Sequence, residues 1–343
     1  MTVLPDAPPV LGPVARPPQR RPGSVRRTST ILMTWPGGIT GGLHLTGRCR
    51  DARTAASHGP TDDQPRPPLQ VLAQKDMIAV AGMDPTVRAV SSPGRAGLDG
   101  LVGSRAGGAL RADLDEVVPD LKRSGAPLYL LLDDLAGTSL IAGFVWSRWR
   151  NEMPDHAELG KGIPVRSMQG ICSGFPPGAS SLNPDGTQSG IAHVVQRVPP
   201  LIDPADPEGW HALDPPPPMA MRRARRIDVW CDPAEQGSVQ IDAMFRDSCW
   251  EPDGSEVAVH EYHLTATARN GVLTSLIAEP RILPFAECPY AAANVGVLVG
   301  APLEDFRVEV LERLKATECC THLNDALRAL AEVPALTASL PTD

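Results

Sequence analysis

The chain has 343 residues, 42% of them hydrophobic and 21% charged, which excludes wholesale disorder. A net charge of −8 argues against a general nucleic-acid binder, which needs a concentrated basic face. Seven irregularly spaced cysteines (49, 172, 231, 249, 288, 319 and 320) do not form a secreted disulfide framework, so the expectation is a reduced, cytoplasmic protein.

In chain order, residues 1–25 are Pro- and Arg-rich without periodicity and read as a disordered, solvated tail. Residues 26–150 form a first α+β unit. Its alternating run VLAQKDMIAVAG reads as a strand, and its apolar stretch LLLDDLAGTSL reads as a helix. No apolar stretch is expected to serve as a membrane span. Residues 151–221, with GFPPGASSLNPDG and LDPPPP, read as a linker or surface strap. Residues 222–337 form a second α+β unit, and 338–343 a short tail.

In the second unit SVQIDAMF, VAVHEYHLTATA and VLTSLIA have period two, the mark of antiparallel strands. Asp253-Gly254 and Asn270-Gly271 are tight-turn pairs. Leu303, Phe306, Val310 and Leu314 then fall on one helix face. Thr321 reads as the N-cap of a last helix, with Asp325 in its first turn and Leu323, Leu327 and Leu330 behind it.

The two units share an order of features. Arg50-Asp51 answers Arg246-Asp247, Leu101-Val102-Gly103 answers Leu298-Val299-Gly300, and Asp133-Asp134 answers Asn324-Asp325. We read a diverged tandem duplication. Each copy is an antiparallel sheet of three to four strands followed by two to three helices on one face. Features present in both copies read as structural.

The copies differ where chemistry could reside. The second has Cys288 after its last strand and Cys319-Cys320-Thr321-His322 entering its last helix; the first has about Tyr129 and Leu131 there. A thiol at a helix N-terminus favours thiolate, and an imidazole nearby supplies a base or a fellow ligand. Cys320 and His322 are therefore candidates for a nucleophile and its base. Cys288, Cys320 and His322 are candidates for a metal site, with zinc or iron the ions to consider, and Cys172 in the strap is a further ligand if the fold brings it near. The same residues also suit a plain buried core. His260 and Glu261 point to opposite faces of a strand, and a Glu261/His263 pair reads more simply as exposed polar alternation.

RRARRIDVW, MFRDS, HEYHLTA, ILPFAECP and CTHLNDALRAL resemble a bacterial domain family of unknown function marked by Cys-Thr-His-Leu before its last helix. The resemblance covers about residues 222–336, weakly echoed in the first half. It implies a shared fold and a site near Cys288, Cys320 and His322, with no activity to carry over. The layout is distantly similar to iron–sulfur scaffold and sulfur-acceptor proteins, although their first-loop Cys-Gly-Asp is absent. The leading expectation is an accessory protein with a binding or assembly role and another protein as partner. The alternatives are a metal- or sulfur-handling protein and a Cys-His hydrolase or transferase.

Overall fold

The computed structural model describes residues 7–38, 41–56, 67–152, 167–232 and 234–341. The remaining parts of the expected tails and strap lie outside the described residues. The first half begins with β1 (Ser24–Thr34), β2 (Leu43–Thr54), β3 (Leu69–Ala81) and β4 (Val87–Ser91). Helices α1 (Leu110–Val117), α2 (Pro119–Arg123), α3 (Pro127–Ile141) and α4 (Phe144–Arg148) follow. The strap contributes β5 (Gln196–Arg197). The second half has β6 (Met221–Cys231), β7 (Ser238–Trp250), β8 (Glu256–Arg269) and β9 (Val272–Ile282). It closes with α5 (Tyr290–Ala293), α6 (Phe306–Arg313), α7 (Thr321–Arg328) and α8 (Val333–Thr337).

The expectation of separate small sheets is corrected. Among the described residues all nine strands belong to one antiparallel sheet, ordered β4-β3-β2-β1-β6-β7-β8-β5, with β9 also on β8. The joint is the β1–β6 pairing, which runs from Ser24↔Trp230 to Met33↔Met221. One apolar core continues across both halves, from Leu45 and Leu131 to Phe306 and Leu327.

Matching details recur in the two halves. Arg27 pairs with Asp51, and Arg223 with Asp247, each over a separation of 24 residues. A β-bulge follows Asp51 and another follows Asp247; further bulges fall at Val80/Ala81 and Thr267/Ala268. Val87 bonds the backbone of Gly103 and Ser104 as Leu273 bonds that of Gly300 and Ala301. Gly103 and Gly300 have φ of 95° and 88°, a region that favours glycine.

Alternation assigns two faces to the sheet. Arg27, Arg223 and Asp247 meet the helices, whereas Thr28, Thr30, Ala224 and Met244 meet the strap. His211 of the strap bridges the Thr28 and Thr30 hydroxyls at 2.8 Å each, and Trp210 and Leu201 pack on Ala224 and Met244. The Pro/Arg-rich N-terminal segment also lies on the sheet. Leu11 N–H donates to the Pro280 carbonyl, Val14 N–H to Glu261, and Arg20 pairs with Asp206. Its prolines suit such an extended, ladder-free path better than a helix or central strand.

Turn and cap readings hold with small shifts. Asn270 and Gly271 both have positive φ (50° and 77°), as a tight β8–β9 hairpin requires. Leu303, Phe306, Val310 and Leu314 are all buried. The N-cap of α7 is Cys320 rather than Thr321. Pro127–Arg148 is, by length and composition alone, apolar enough to cross a membrane, more than the sequence reading allowed. In the structure it forms α3 and α4, and α3 packs on β1, β2 and β3.

Candidate functional site

The centre of the helix-facing side is an unbroken chain of buried ion pairs. Arg27 bonds Asp51 and Glu332; Glu332 also holds Arg307, and Arg307 reaches Asp133. Asp133 meets Arg111 and Arg328, both of which reach Asp325. Asp325 joins Arg223, which takes Asp247 through two parallel bonds (2.8 and 2.9 Å) and Asp134 at 3.2 Å. Asp134 finally accepts from Arg225 Nε at 2.7 Å. Six carboxylates thus balance six guanidinium groups.

The pairing crosses the halves: Arg27 on β1 uses Glu332 from the C-terminal half, and Arg223 and Arg225 on β6 use Asp134 from α3. Burial opposes ionisation of Asp133, but Arg328, Arg307 and Arg111 outweigh it and hold its pKa well below the usual range. Asp133 and Asp134 therefore sit mid-helix for their partners, not for the helix dipole expected from sequence. Gly137 of α3 makes room for the network, since a Cβ there would stand 2.0 Å from Arg223 Nη1.

The predicted Cys/His corner adjoins this network. His322, in the first turn of α7, places Nδ1 4.0 Å from Cys320 Sγ and Nε2 3.8 Å from Asp247 Oδ2. Its ring stacks on that of His260, with centroids 3.6 Å apart and planes 16° apart. His260 Nδ1 and His322 Nε2 have no hydrogen-bond partner. Tyr262 lies on the same face of β8 as His260, and its buried hydroxyl has no hydrogen-bond partner among the described residues. Cys288 and Cys172 approach from the turn after β9 and from the strap. Both sulfurs border Gly174, whose added Cβ would lie 2.9 Å from Cys288 Sγ and 3.8 Å from Cys172 Sγ. Ser173 ties the strap down, its N–H donating to the Cys319 carbonyl at 2.7 Å.

The corner is sealed: Cys320 is 3% exposed and His322 9%. Burial raises the Cys320 thiol, and the backbone amides of Leu323 and His322 oppose this only in part. The helix N-terminus therefore does not yield the thiolate that its position suggested. Burial, then Arg223 and Arg225, lower His322 to about 3, and burial beside His322 puts His260 well below its ordinary value. Both imidazoles are neutral at neutral pH, which suits a network already balanced in charge.

Among the described residues, the three donors that all lie within 4.8 Å of one another are Asp247, His260 and His322. Cys288, Cys320 and His322 do not converge so closely. Ring orientation disfavours joint ligation by the two histidines. A metal about 2.1 Å from nitrogen sits about 3.2 Å from each ring centre, so centroids 3.6 Å apart subtend about 70°, well short of tetrahedral. Asp247 is moreover already engaged by both arms of Arg223.

Other sequence candidates separate. Glu261 faces the strap side and accepts from Arg246 at 2.6 Å, while His263 bridges Asp242 and Glu279. The N-cap of α3 is Ala126 and that of α7 is Cys320. Two residues past each cap stand Leu128 and His322, and neither Leu128 nor the Tyr129 and Leu131 named from sequence is a thiol or an imidazole. Sequence reasoning missed the arginines of β6. The available signal was four arginines in RRARR on a central strand, which burial requires to be matched by acids.

Residues 221–336 match the model of a family described as a protein of unknown function (DUF2889), from the first residue of β6 into α8. The C-terminal half thus contains a domain of unknown function, as its motifs suggested. No curated protein and no solved structure matches the chain.

Proposed function

We propose that the chain is a non-catalytic binding or assembly protein, an accessory factor of a bacterial cytoplasm acting on another protein. The C-terminal half bears the distinctive residues, and the N-terminal half, a diverged copy, braces it. The observation that carries this reading is the sealed corner: a thiol raised by burial and two neutral stacked imidazoles, all buried among the described residues. Two surface hollows, of about 460 and 400 Å³, are lined by none of Cys288, Cys320 or His322. The duplication is supported by the matched bulges, ion pairs and glycines. The reducing compartment is supported by seven free thiols.

A Cys-His hydrolase or transferase has one observation in its favour, the Asp247 carboxylate beside His322 Nε2. The raised thiol and the closed strap weigh against it, because a thiol nucleophile works as accessible thiolate. Native alkylation followed by peptide mapping separates the two. Exposed Cys231 labels quickly and Cys320 labels on unfolding; rapid native labelling of Cys320 would overturn the non-catalytic reading.

A further inference from the structure

The strap face of the sheet, opposite the Cys320–His322 corner, carries an arginine without a bonded acid. Of the four arginines in β6, Arg223 bonds Asp247, Asp325 and Asp134. Arg225 bonds Asp134, and Arg226 bonds Asp228 and Asp242. Arg222 is the exception. Its side chain is nine-tenths buried, yet among the described residues its guanidinium makes no hydrogen bond. It lies 4.5 Å above the Trp250 ring, and the nearest carboxylate oxygen, Glu256 Oε2, stays 3.9 Å away. The other oxygen of that carboxylate accepts the Ser248 hydroxyl at 2.6 Å. Burial lowers the pKa of Arg222 and Glu256 offsets only part of this, whereas the acids around Arg223 and Arg226 outweigh the same burial and raise theirs. A buried guanidinium without hydrogen bonds is unfavourable, and its fork is completed by a planar anion that accepts two parallel bonds.

Arg222 lines a hollow of about 250 Å³ between the sheet and strap residues 212–214. Strand register builds its floor. Arg222 on β6, Leu32 on β1, Thr46 on β2 and Ile78 on β3 stand in one row. Leu213 of the strap adds a further apolar wall. In the adjoining row Arg48 is already engaged: its Nε bonds Asp76 at 2.8 Å, and its Nη1 donates to the Ala212 carbonyl at 2.9 Å, which pins the strap beside the hollow. Strands about 4.8 Å apart put Arg222 and Ile78 roughly 14 Å apart at the backbone, a span that suits a short ligand. Asp76 and Asp214 also line the hollow and oppose a dianion such as phosphate.

We propose that this hollow binds a small monocarboxylate with a short aliphatic tail, its carboxylate on the Arg222 fork and its tail along Leu32, Ile78 and Leu213. The ligand supplies the two hydrogen bonds that Glu256 does not. It bridges β6, the neighbouring strands and the strap through one molecule. The site shares no residue with the Cys320–His322 corner, so its failure leaves the binding and assembly reading standing.

The test is calorimetric titration of the full-length protein with isocaproate, a leucine-sized branched monocarboxylate, alongside the neutral isocaproamide and inorganic phosphate. Isocaproate should bind saturably at one molecule per chain, and the amide and phosphate at least about tenfold more weakly, the worth of one charge-assisted hydrogen bond. Arg222→Met should abolish binding, and Arg222→Lys, which keeps the charge without the fork, should weaken it by a similar factor. Ile78 is 58% exposed, so Ile78→Asp tests the apolar wall without disturbing the core and should weaken binding too. Absence of saturable isocaproate binding to the unaltered protein would overturn the site. So would equal affinity for the amide or for phosphate, or affinity unchanged in Arg222→Met or in Ile78→Asp.

Discussion

Asp134→Ala removes the carboxylate that Arg225 bonds through Nε and Nη2 and that Arg223 also touches. Arg223 keeps Asp247 and Asp325, but Arg225 retains only the neutral Asp325 carbonyl and the Phe245 ring among its described partners. Asp134 is 4% exposed and Arg225 3%, so the orphaned charge cannot be rehydrated without opening the sheet–helix interface. Breaking a buried pair from one side costs about 3–5 kcal/mol, a large part of the roughly 5–15 kcal/mol that stabilises a typical protein. Asp134→Leu combined with Arg225→Met should recover most of the loss, because a well-packed apolar pair substitutes for a buried ion pair at little cost. Asp84→Ala, which breaks a surface pair with Arg88, serves as the control and should leave the unfolding midpoint in place. Urea denaturation followed by tryptophan fluorescence reads all three. An Asp134→Ala midpoint equal to that of Asp84→Ala would refute the proposition that the two halves lock through buried charge.

Gly137→Ala should destabilise by about 1–3 kcal/mol or more, although alanine is the better helix former by about 1 kcal/mol, because its Cβ would strike Arg223 and Asp325; thermal melts give the sign. His260 and His322 have folded pKa values below the unfolded value near 6.5, so the unfolded state takes up protons first as pH falls. Their contribution is complete above about pH 6.5 and is lost below it, by up to about 1.4 kcal/mol per pH unit per histidine. His263, raised by Asp242 and Glu279, opposes this trend. Urea midpoints between pH 7 and 5 should fall, and His322→Gln should flatten the slope. Gly174→Ala should loosen the strap by pressing on Cys288, which partial proteolysis between residues 167 and 190 would detect.

Strands β3, β7, β8 and β9, the β8–β9 hairpin and the apolar face of α6 were legible because period and turn chemistry are local. The single sheet was not, because nothing local in β1 or β6 states that their edges pair across almost 200 residues. The paired Arg-Asp dipeptides were recognised as structural. They stand mid-strand, where Asp51 and Asp247 hold arginines 24 residues earlier. The Cys/His corner was found from Cys320 and His322 alone. Asp247, a second-neighbour carboxylate, and Tyr262 entered it through strand register, which a one-residue shift would have changed. At the α7 N-terminus the helix position favours a thiolate, whereas burial raises the Cys320 thiol, and burial is not legible in the local sequence.

The central claim is that the corner is closed, and amide hydrogen exchange across α7 tests it most directly. The N–H groups of His322 and Leu323 point at the Cys320 sulfur, and that of Asn324 donates to the Cys320 carbonyl at 2.8 Å. If the corner opens when the whole molecule unfolds, these amides exchange as slowly as those of the central strands β6 and β7. Exchange at His322 and Leu323 orders of magnitude faster than in β6 and β7 would show an opening local to the site and contradict the account.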